Sequence, residues 1–531
     1  MRSPRLFHRY GRGFAVSMAL ASALLLSLAM PGLVGWWPLL FVALVPLLYG
    51  ALHLPPLRSS GMGLLAGLLY HLVLLYWIII VLGRYGGLPA WISVPALVLL
   101  ALYMALYTAL FCFLLSLVAG RSWHRERWVA TLVWTAPLFW VGLDTLRGTL
   151  LTGFPWMDLA YGLYAHPMLI QAADLGGHHL VSFWLVLING LVLAVIDRQR
   201  RDVRWNQRAE RRLLLAAACL VVFVFGYSML RYRVMPPLMR RALQARVTVV
   251  QGNIDQGVKW TPANREATVA TYTRLSAAAL RRRTTELLVW PETALPFYLQ
   301  SDPLAARVAD FVRRQNVWLL TGAPTYDLGP AAPGEKPPVS YFNSALLLDP
   351  SARVAGRYSK QHLVPFGEYV PLRKFLPFLE PLVVSVGDFT AGSSSAPLVA
   401  GRMRLGVLIC FESIFPDIAR REVARGANLL VNLTNDAWYG RSSAPYQSLA
   451  MTVFRAVETK RSLVRAANTG ISGLVDPAGN IRQQSPIFRA MALTGDVPML
   501  DLETLFVRGG YLFGTACLAL MVPLLLFRRR A

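Results

Sequence analysis

Three side chains with reactive ends follow apolar, strand-like runs in the second half of the chain. Glu292 comes after LLVWP, Lys360 after RVAGRYS, and Cys410 at the end of RLGVLIC. A thiolate attacks a carbonyl carbon far better than a thiol, yet at an ordinary pKa near 8.5 only a few per cent is ionised at neutral pH. A carboxylate within reach takes the thiol proton and later returns one to a leaving group. An ammonium at the carbonyl oxygen stabilises the tetrahedral oxyanion, and losing one such donor typically costs about 10²–10³ in rate. Glu292 as base, Cys410 as nucleophile and Lys360 as oxyanion donor make a complete acyl-transfer set that needs no histidine.

Each residue also has a bland use. A lone cysteine after an apolar strand is often buried filler, Glu292 suits a turn or helix start, and Lys360 suits a solvated loop. Context favours the chemical use. The chain has four cysteines, and Cys112, Cys219 and Cys517 lie in long apolar runs, which leaves Cys410 without a partner.

The elements that would position these groups are short apolar strands alternating with helical stretches from about Arg246 onward. Strand candidates are RVTVVQGNI, ELLVWPE, VWLLTGAP, FNSALLLD, RVAGRYSK, RLGVLIC, ANLLVNLTN and LVRAANTG. Helix candidates cover 262–283, 303–315, 416–425 and 446–462, with Gly426 as a C-cap and Pro416 in a first turn. DPSAR (349–353) and DPAGN (476–480) read as turns. The pattern predicts a layered α/β domain with helices covering mixed sheets. Functional groups gather at the carboxyl ends of strands in such domains, so the three residues can converge although 68 and 50 positions separate them.

The rest of the chain reads as membrane. Of 531 residues, 55% are hydrophobic and 15% charged, against about 25% charged in a soluble domain. Eight runs are long enough to span: 13–30, 35–54, 61–83, 91–119, 128–145, 178–196, 213–231 and 510–527. The net charge of +25 comes largely from arginines between these runs, a topology signal rather than a nucleic-acid footprint. With the N-terminus in the cytoplasm, the inner segments hold eighteen arginines and the short outer ones only Arg84 and Arg147. The segment 232–509 then lies outside the cytoplasm, where free thiols are unusual. Residues 146–177 read as an interfacial aromatic segment, with Trp156, Tyr161 and Tyr164 at headgroup depth. No zinc-type spacing of Cys and His is present, and no metal or cofactor is expected.

The stretches QGNIDQGVKW (251–260), VWPETALP (289–296), YSKQHLVPFGEYVPL (358–372), ICFES (409–413) and LTNDAWYG (433–440) together resemble the apolipoprotein N-acyltransferases of Gram-negative bacteria. The resemblance covers most of the chain. It implies eight transmembrane helices joined to a periplasmic nitrilase-like α-β-β-α sandwich. Residues 1–231 would carry spans one to seven, 232–505 the catalytic domain, and 506–531 the last span with a cytoplasmic arginine tail. It implies an inner-membrane enzyme whose Glu292, Lys360 and Cys410 act in a ping-pong reaction. Cys410 would take the sn-1 acyl chain of a phospholipid, typically phosphatidylethanolamine, as a thioester. The chain would pass to the amine of the S-diacylglyceryl cysteine of an apolipoprotein.

By the same resemblance Glu368 would hold Lys360, Trp260 would stand near the pocket mouth, and Trp438 would lie at the site. Glu412 would be a catalytic aid or a helix-start carboxylate, and Phe411 an aromatic wall where some members carry tyrosine. A lid over 361–392 and a monomeric enzyme complete the expectation. The rival reading is a membrane-tethered nitrilase-type amidase acting on a small amide. A transporter is disfavoured by spans with almost no ionisable residues, Asp144 and His71 being the few candidates.

Overall fold

The computed structural model describes residues 11–122, 128–201, 208–257, 259–330, 336–369, 389–393 and 396–527. The chain divides into two compact units. One comprises 1–77, 94–233 and 508–531, and the other 78–93 and 234–507.

In the first unit and at its borders, five helices among the described residues are long and apolar enough to cross a membrane. They are Arg12–Ala29, Pro56–Leu74, Ala90–Val118, Ala173–Asp197 and Glu210–Arg241. The run 35–54 is not one continuous helix. Pro38 and Pro46 split it into a 3₁₀ turn, Trp37–Phe41, and a short helix, Val45–His53. The backbone groups freed by the break are satisfied by Asn189. Its Oδ1 accepts from the Leu44 N–H at 2.9 Å, and its Nδ2 donates to the Leu40 carbonyl at 2.8 Å. Apolar surroundings tolerate a broken helix only when such groups find partners.

Residues 146–177 differ from the aromatic belt expected of them. They form 3₁₀ turns, Leu159–Leu163 among them, and Trp156 and Tyr161 are fully buried. Trp156 packs on Trp77 and Phe154, and Tyr161 stacks on His178. The fold also gathers Asp158, His178 and His179, donors that no sequence spacing announced. The Asp158 oxygens are already engaged, one by the Arg147 guanidinium and the other by His178 Nε2 at 2.8 Å. A guanidinium on the shared carboxylate disfavours a cation there.

The second unit is built on two six-stranded sheets. The first runs β12-β1-β2-β3-β4-β5, and the second β11-β10-β9-β8-β7-β6. Their ranges are β1 Leu243–Gln251, β2 Leu287–Val289, β3 Trp318–Leu328, β4 Val339–Leu348, β5 Val354–Ser359, β6 Leu398–Ala400, β7 Met403–Ile409, β8 Leu429–Thr434, β9 Ser462–Ala467, β10 Gly473–Val475, β11 Ile481–Gln484 and β12 Met491–Met499. β1, β2 and β3 are parallel neighbours, as are β7, β8 and β9, and the outer pairings are antiparallel. The parallel centres are buried on both faces, which is why LLVNLT and SLVRAA read as near-continuous apolar runs.

Alternate residues of each strand face opposite layers. Val247 and Val249 of β1 enter a core shared with Val407, Ile409 and Val431 of the other sheet. Val250 turns instead toward Val269, Tyr272, Val308 and Phe311 of the helices Pro262–Arg282 and Leu304–Gln315. The helices Pro416–Ala424 and Ala444–Thr459 cover the second sheet, and the latter is buried along its length except at Tyr446. The layering is α-β-β-α, and the strand ends deliver the reactive residues to one place.

Candidate active site

Glu292 follows β2 and is 7% exposed. Its Oε1 accepts from Asn343 Nδ2 at 2.8 Å, and its Oε2 from the Asn435 backbone N–H at 2.8 Å. Close backbone approach fixes its position. A Cβ on Gly322 of β3 would meet Thr293 N at 2.4 Å and Glu292 Cα at 2.6 Å, so glycine is required there.

Lys360 follows β5 and is buried. Its Nζ lies 2.8 Å from Glu368 Oε2 and 3.9 Å from Glu292 Oε1. Its N–H donates to the Asn343 carbonyl at 2.8 Å, and its own carbonyl accepts from Gly392 N–H at 2.7 Å. Asn343 Nδ2 also donates to Glu368 Oε1 at 2.9 Å, so one amide ties both carboxylates.

Cys410 follows β7 at φ 51°, in the left-handed region, and its side chain is half-buried. Glu292 and Lys360 both act on it electrostatically. Burial first, and then the Glu292 charge, push its thiol up to about 12 against the pull of Lys360. The resting group is therefore a thiol and needs a base. Burial raises Glu292 as well, while Lys360, Asn343 and Lys259 lower it. Burial works against the Lys360 charge, yet Glu368 above all, then Cys410 and Glu292, raise its pKa and keep it an ammonium. His362, the nearby histidine, is pushed down to about 4 by burial and by Lys360, so it is neutral at physiological pH.

Glu412 is fully buried and accepts four hydrogen bonds. Its Oε1 takes the N–H groups of Gln361 at 2.6 Å and His362 at 3.1 Å. Its Oε2 takes the Ile409 N–H at 2.7 Å and the Tyr358 hydroxyl at 3.0 Å. Burial raises its pKa, and the donors pull the other way. Three of the four partners are backbone N–H groups that can only donate, which favours the carboxylate. It braces the nucleophile turn against the lysine segment, which is more than a dipole contact at a helix start.

Phe411 packs on Phe415 at 5.2 Å and His362 at 5.8 Å. Trp438 is half-buried in the turn Asp436–Tyr439 and meets Tyr85 edge-on at 6.0 Å. An open cavity of about 640 Å³ is lined there by Ile80, Arg84, Tyr85, Asp255, Arg441 and Phe488. Arg84 and Arg441 have no carboxylate partner among the described residues. Trp260 is half-buried beside Lys259, and no described contact ties it to the other site residues. Of the lid expected over 361–392, residues 370–388 lie outside the described residues.

Several site residues carry no sequence signal of their own. Asn343 in β4 and Asn435 just after β8 are neutral amides, and Lys259 looked like part of a motif rather than a functional group. Thr434, whose hydroxyl donates to Asp436 Oδ1 at 2.7 Å, also lies within hydrogen-bond reach of the Cys410 thiol. Asp436 is in turn held by buried Arg465 at 2.9 Å. The run NLTND was the visible trace of this network.

Residues 22–191 match the model of the apolipoprotein N-acyltransferase N-terminal domain, and residues 246–504 match that of carbon-nitrogen hydrolases. The chain is 41% identical to an apolipoprotein N-acyltransferase of Geobacter metallireducens, over 97% of this chain and 95% of that one. It is 31% identical to one of Vibrio cholerae, over 92% of each. A solved carbon-nitrogen hydrolase from Helicobacter pylori G27 aligns over 53% of this chain and 94% of its own, at 18% identity and a TM-score of 0.36.

Proposed function

The chain belongs to the apolipoprotein N-acyltransferase family, and on that premise we propose that it N-acylates the diacylglyceryl cysteine of apolipoproteins through a thioester on Cys410. It is a membrane acyltransferase of the carbon-nitrogen hydrolase superfamily. The observation that carries the mechanism is the convergence on one thiol of a buried carboxylate and an ammonium anchored by a second carboxylate.

In the first half-reaction Glu292 takes the Cys410 proton as sulfur bonds to the sn-1 ester carbonyl carbon of a phospholipid. Lys360 stabilises the oxyanion. The intermediate collapses by breaking the bond to the glycerol oxygen, and Glu292 returns the proton to that oxygen. In the second half the neutral α-amine of the acceptor attacks the thioester carbon. Glu292 takes its proton, the carbon–sulfur bond breaks, and Cys410 recovers its hydrogen. A guanidinium pairs with phosphate oxygens in two-pronged geometry. Arg84 and Arg441 at the cavity suit a phospholipid donor such as phosphatidylethanolamine better than a small amide. The reading includes eight spans, both termini in the cytoplasm, a periplasmic catalytic domain and a monomer.

The test is intact-mass spectrometry of the purified protein mixed with phosphatidylethanolamine. A fatty-acyl adduct on Cys410 should accumulate without acceptor and clear on adding a diacylglyceryl peptide. Steady release of free fatty acid without acceptor would instead support the amidase-like hydrolase. N-acylation by Cys410→Ala would end the thioester mechanism.

A further inference from the structure

Lys259 is a buried cation for which the chemistry above has no use. Its side chain is fully buried, and its Nζ has no hydrogen-bond partner among the described residues. The charge that acts on it is that of Glu292, and Lys259 acts back on Glu292. Leaving an ammonium buried and unpaired costs several kcal/mol unless a nearby charge offsets it.

The loop that carries it is riveted to the site. Asn468 Nδ2 donates to the Ile254 carbonyl at 2.8 Å, and the Ile254 N–H donates to Asn468 Oδ1 at 2.9 Å. Asn435 Nδ2 donates to Gln256 Oε1 at 2.6 Å, and the backbone N–H of the same Asn435 holds Glu292. The stretch leading to Lys259 is therefore held by residues that also hold the base.

Charge counting gives this placement a purpose. Glu292 and Glu368 bring two negative charges. Lys360 brings one positive charge, and it sits closer to Glu368 than to Glu292. Those three groups leave the pocket at minus one, beside a thiol that must give up its proton. A second ammonium offsets the net charge of those three groups. We propose that Lys259 is a positioning residue for the base, whose charge keeps Glu292 ionised and so able to accept protons from Cys410 and from the acceptor amine.

The groups facing Glu292 are Lys360 after β5, Glu368 beyond it, Cys410 after β7, Tyr439 after β8, and Lys259. Burial lowers Lys259 to about 8 while Glu292 raises it, so it carries its charge at neutral pH and below. Removing it raises the Glu292 pKa and moves the acid limb of the reaction to higher pH. An opposite charge within a few ångströms shifts a carboxyl by about 1–3 units, and the lower end applies where no hydrogen bond is made.

This inference rests on Glu292 being the base. The experiment follows acyl-Cys410 formation by full-length protein from phosphatidylethanolamine in mixed micelles, by intact mass, from pH 5 to 9. Lys259→Met should move the acid limb up by about one unit. The rate should fall about tenfold on that limb and rejoin wild type on the plateau. Lys259→Arg, which keeps the charge, should restore the wild-type limb. Lys259→Gln is read the same way if the methionine variant does not fold. An unmoved limb overturns the proposal, as does an equal loss at every pH, which is what a merely structural lysine would give. If Glu292→Gln still forms thioester with the wild-type limb, the reading of the base fails. If Glu292→Gln is inactive and the Lys259→Met limb is unmoved, only this inference fails.

Discussion

Replacing Glu412 by glutamine keeps the shape of the side chain and removes its charge. A carboxylate there accepts from Gln361, His362, Ile409 and Tyr358, and a glutamine has only one accepting oxygen. Its better placement keeps that oxygen on Gln361 and His362. The new amide nitrogen then donates to the Tyr358 oxygen once the hydroxyl turns away. The Ile409 N–H is left without an acceptor, which costs about 1–3 kcal/mol for a buried donor. The two surviving bonds lose their charge assistance, about another 1–2 kcal/mol together. Relief from burying a carboxylate offsets part of this, leaving a net loss of about 3 kcal/mol. At about 2–4 °C per kcal/mol, melting should fall by about 6–12 °C. The orphaned N–H directly precedes Cys410, so thioester formation should slow about ten- to a hundredfold. Scanning calorimetry of the solubilised full chain and intact-mass kinetics check both numbers. A variant that melts with wild type yet loses more than about 10³ in rate would mean that Glu412 carries protons rather than braces the turn. No change in either measurement would remove it from the site.

Iodoacetamide labelling of Cys410 should rise about tenfold per pH unit from pH 7 to 10, because the thiol is pushed up to about 12 and its thiolate fraction stays small. A plateau near pH 8.5 in peptide mass spectra would contradict this. Gly322→Ala should displace Glu292 through backbone atoms that cannot yield, lowering the rate about a hundredfold while the protein still folds. A crystal structure of that variant with Glu292 unmoved would refute the cause. Glu368→Gln should free Lys360 to move toward Glu292 from its present 3.9 Å, lowering kcat about 10²–10³ with little change in donor KM. Equal effects on both constants would point to a binding role instead.

The sequence was legible where chemistry sits at the end of an apolar run. Each of the eight expected strands contains a strand, and Glu292, Lys360 and Cys410 were readable because each follows one. β12 was not legible. MALTGDVPM carries Gly495, Asp496 and Pro498, which suit only an edge position, and it is paired by β1 from almost the whole domain away. β10 and β11 flank the recognised DPAGN turn but are three and four residues long, too short to show a period. Asn435 holds Glu292 from 143 positions away, and a neutral amide gives no sign of such a task. The aromatic residues of 146–177 misled because a buried tryptophan and an interfacial one look alike in sequence. Their partners, Trp77 and His178, decide between the two.

The left-handed backbone at Cys410 sets stability and activity against each other at a single position. An L-residue there costs about 1–2 kcal/mol that a glycine would not. Glycine gives back about 0.5–1 kcal/mol through its freer unfolded chain. A Cys410→Gly protein should thus lose no stability through its backbone while being chemically silent. Selection for thermal tolerance alone would drift toward glycine, and only a requirement for turnover keeps sulfur in place.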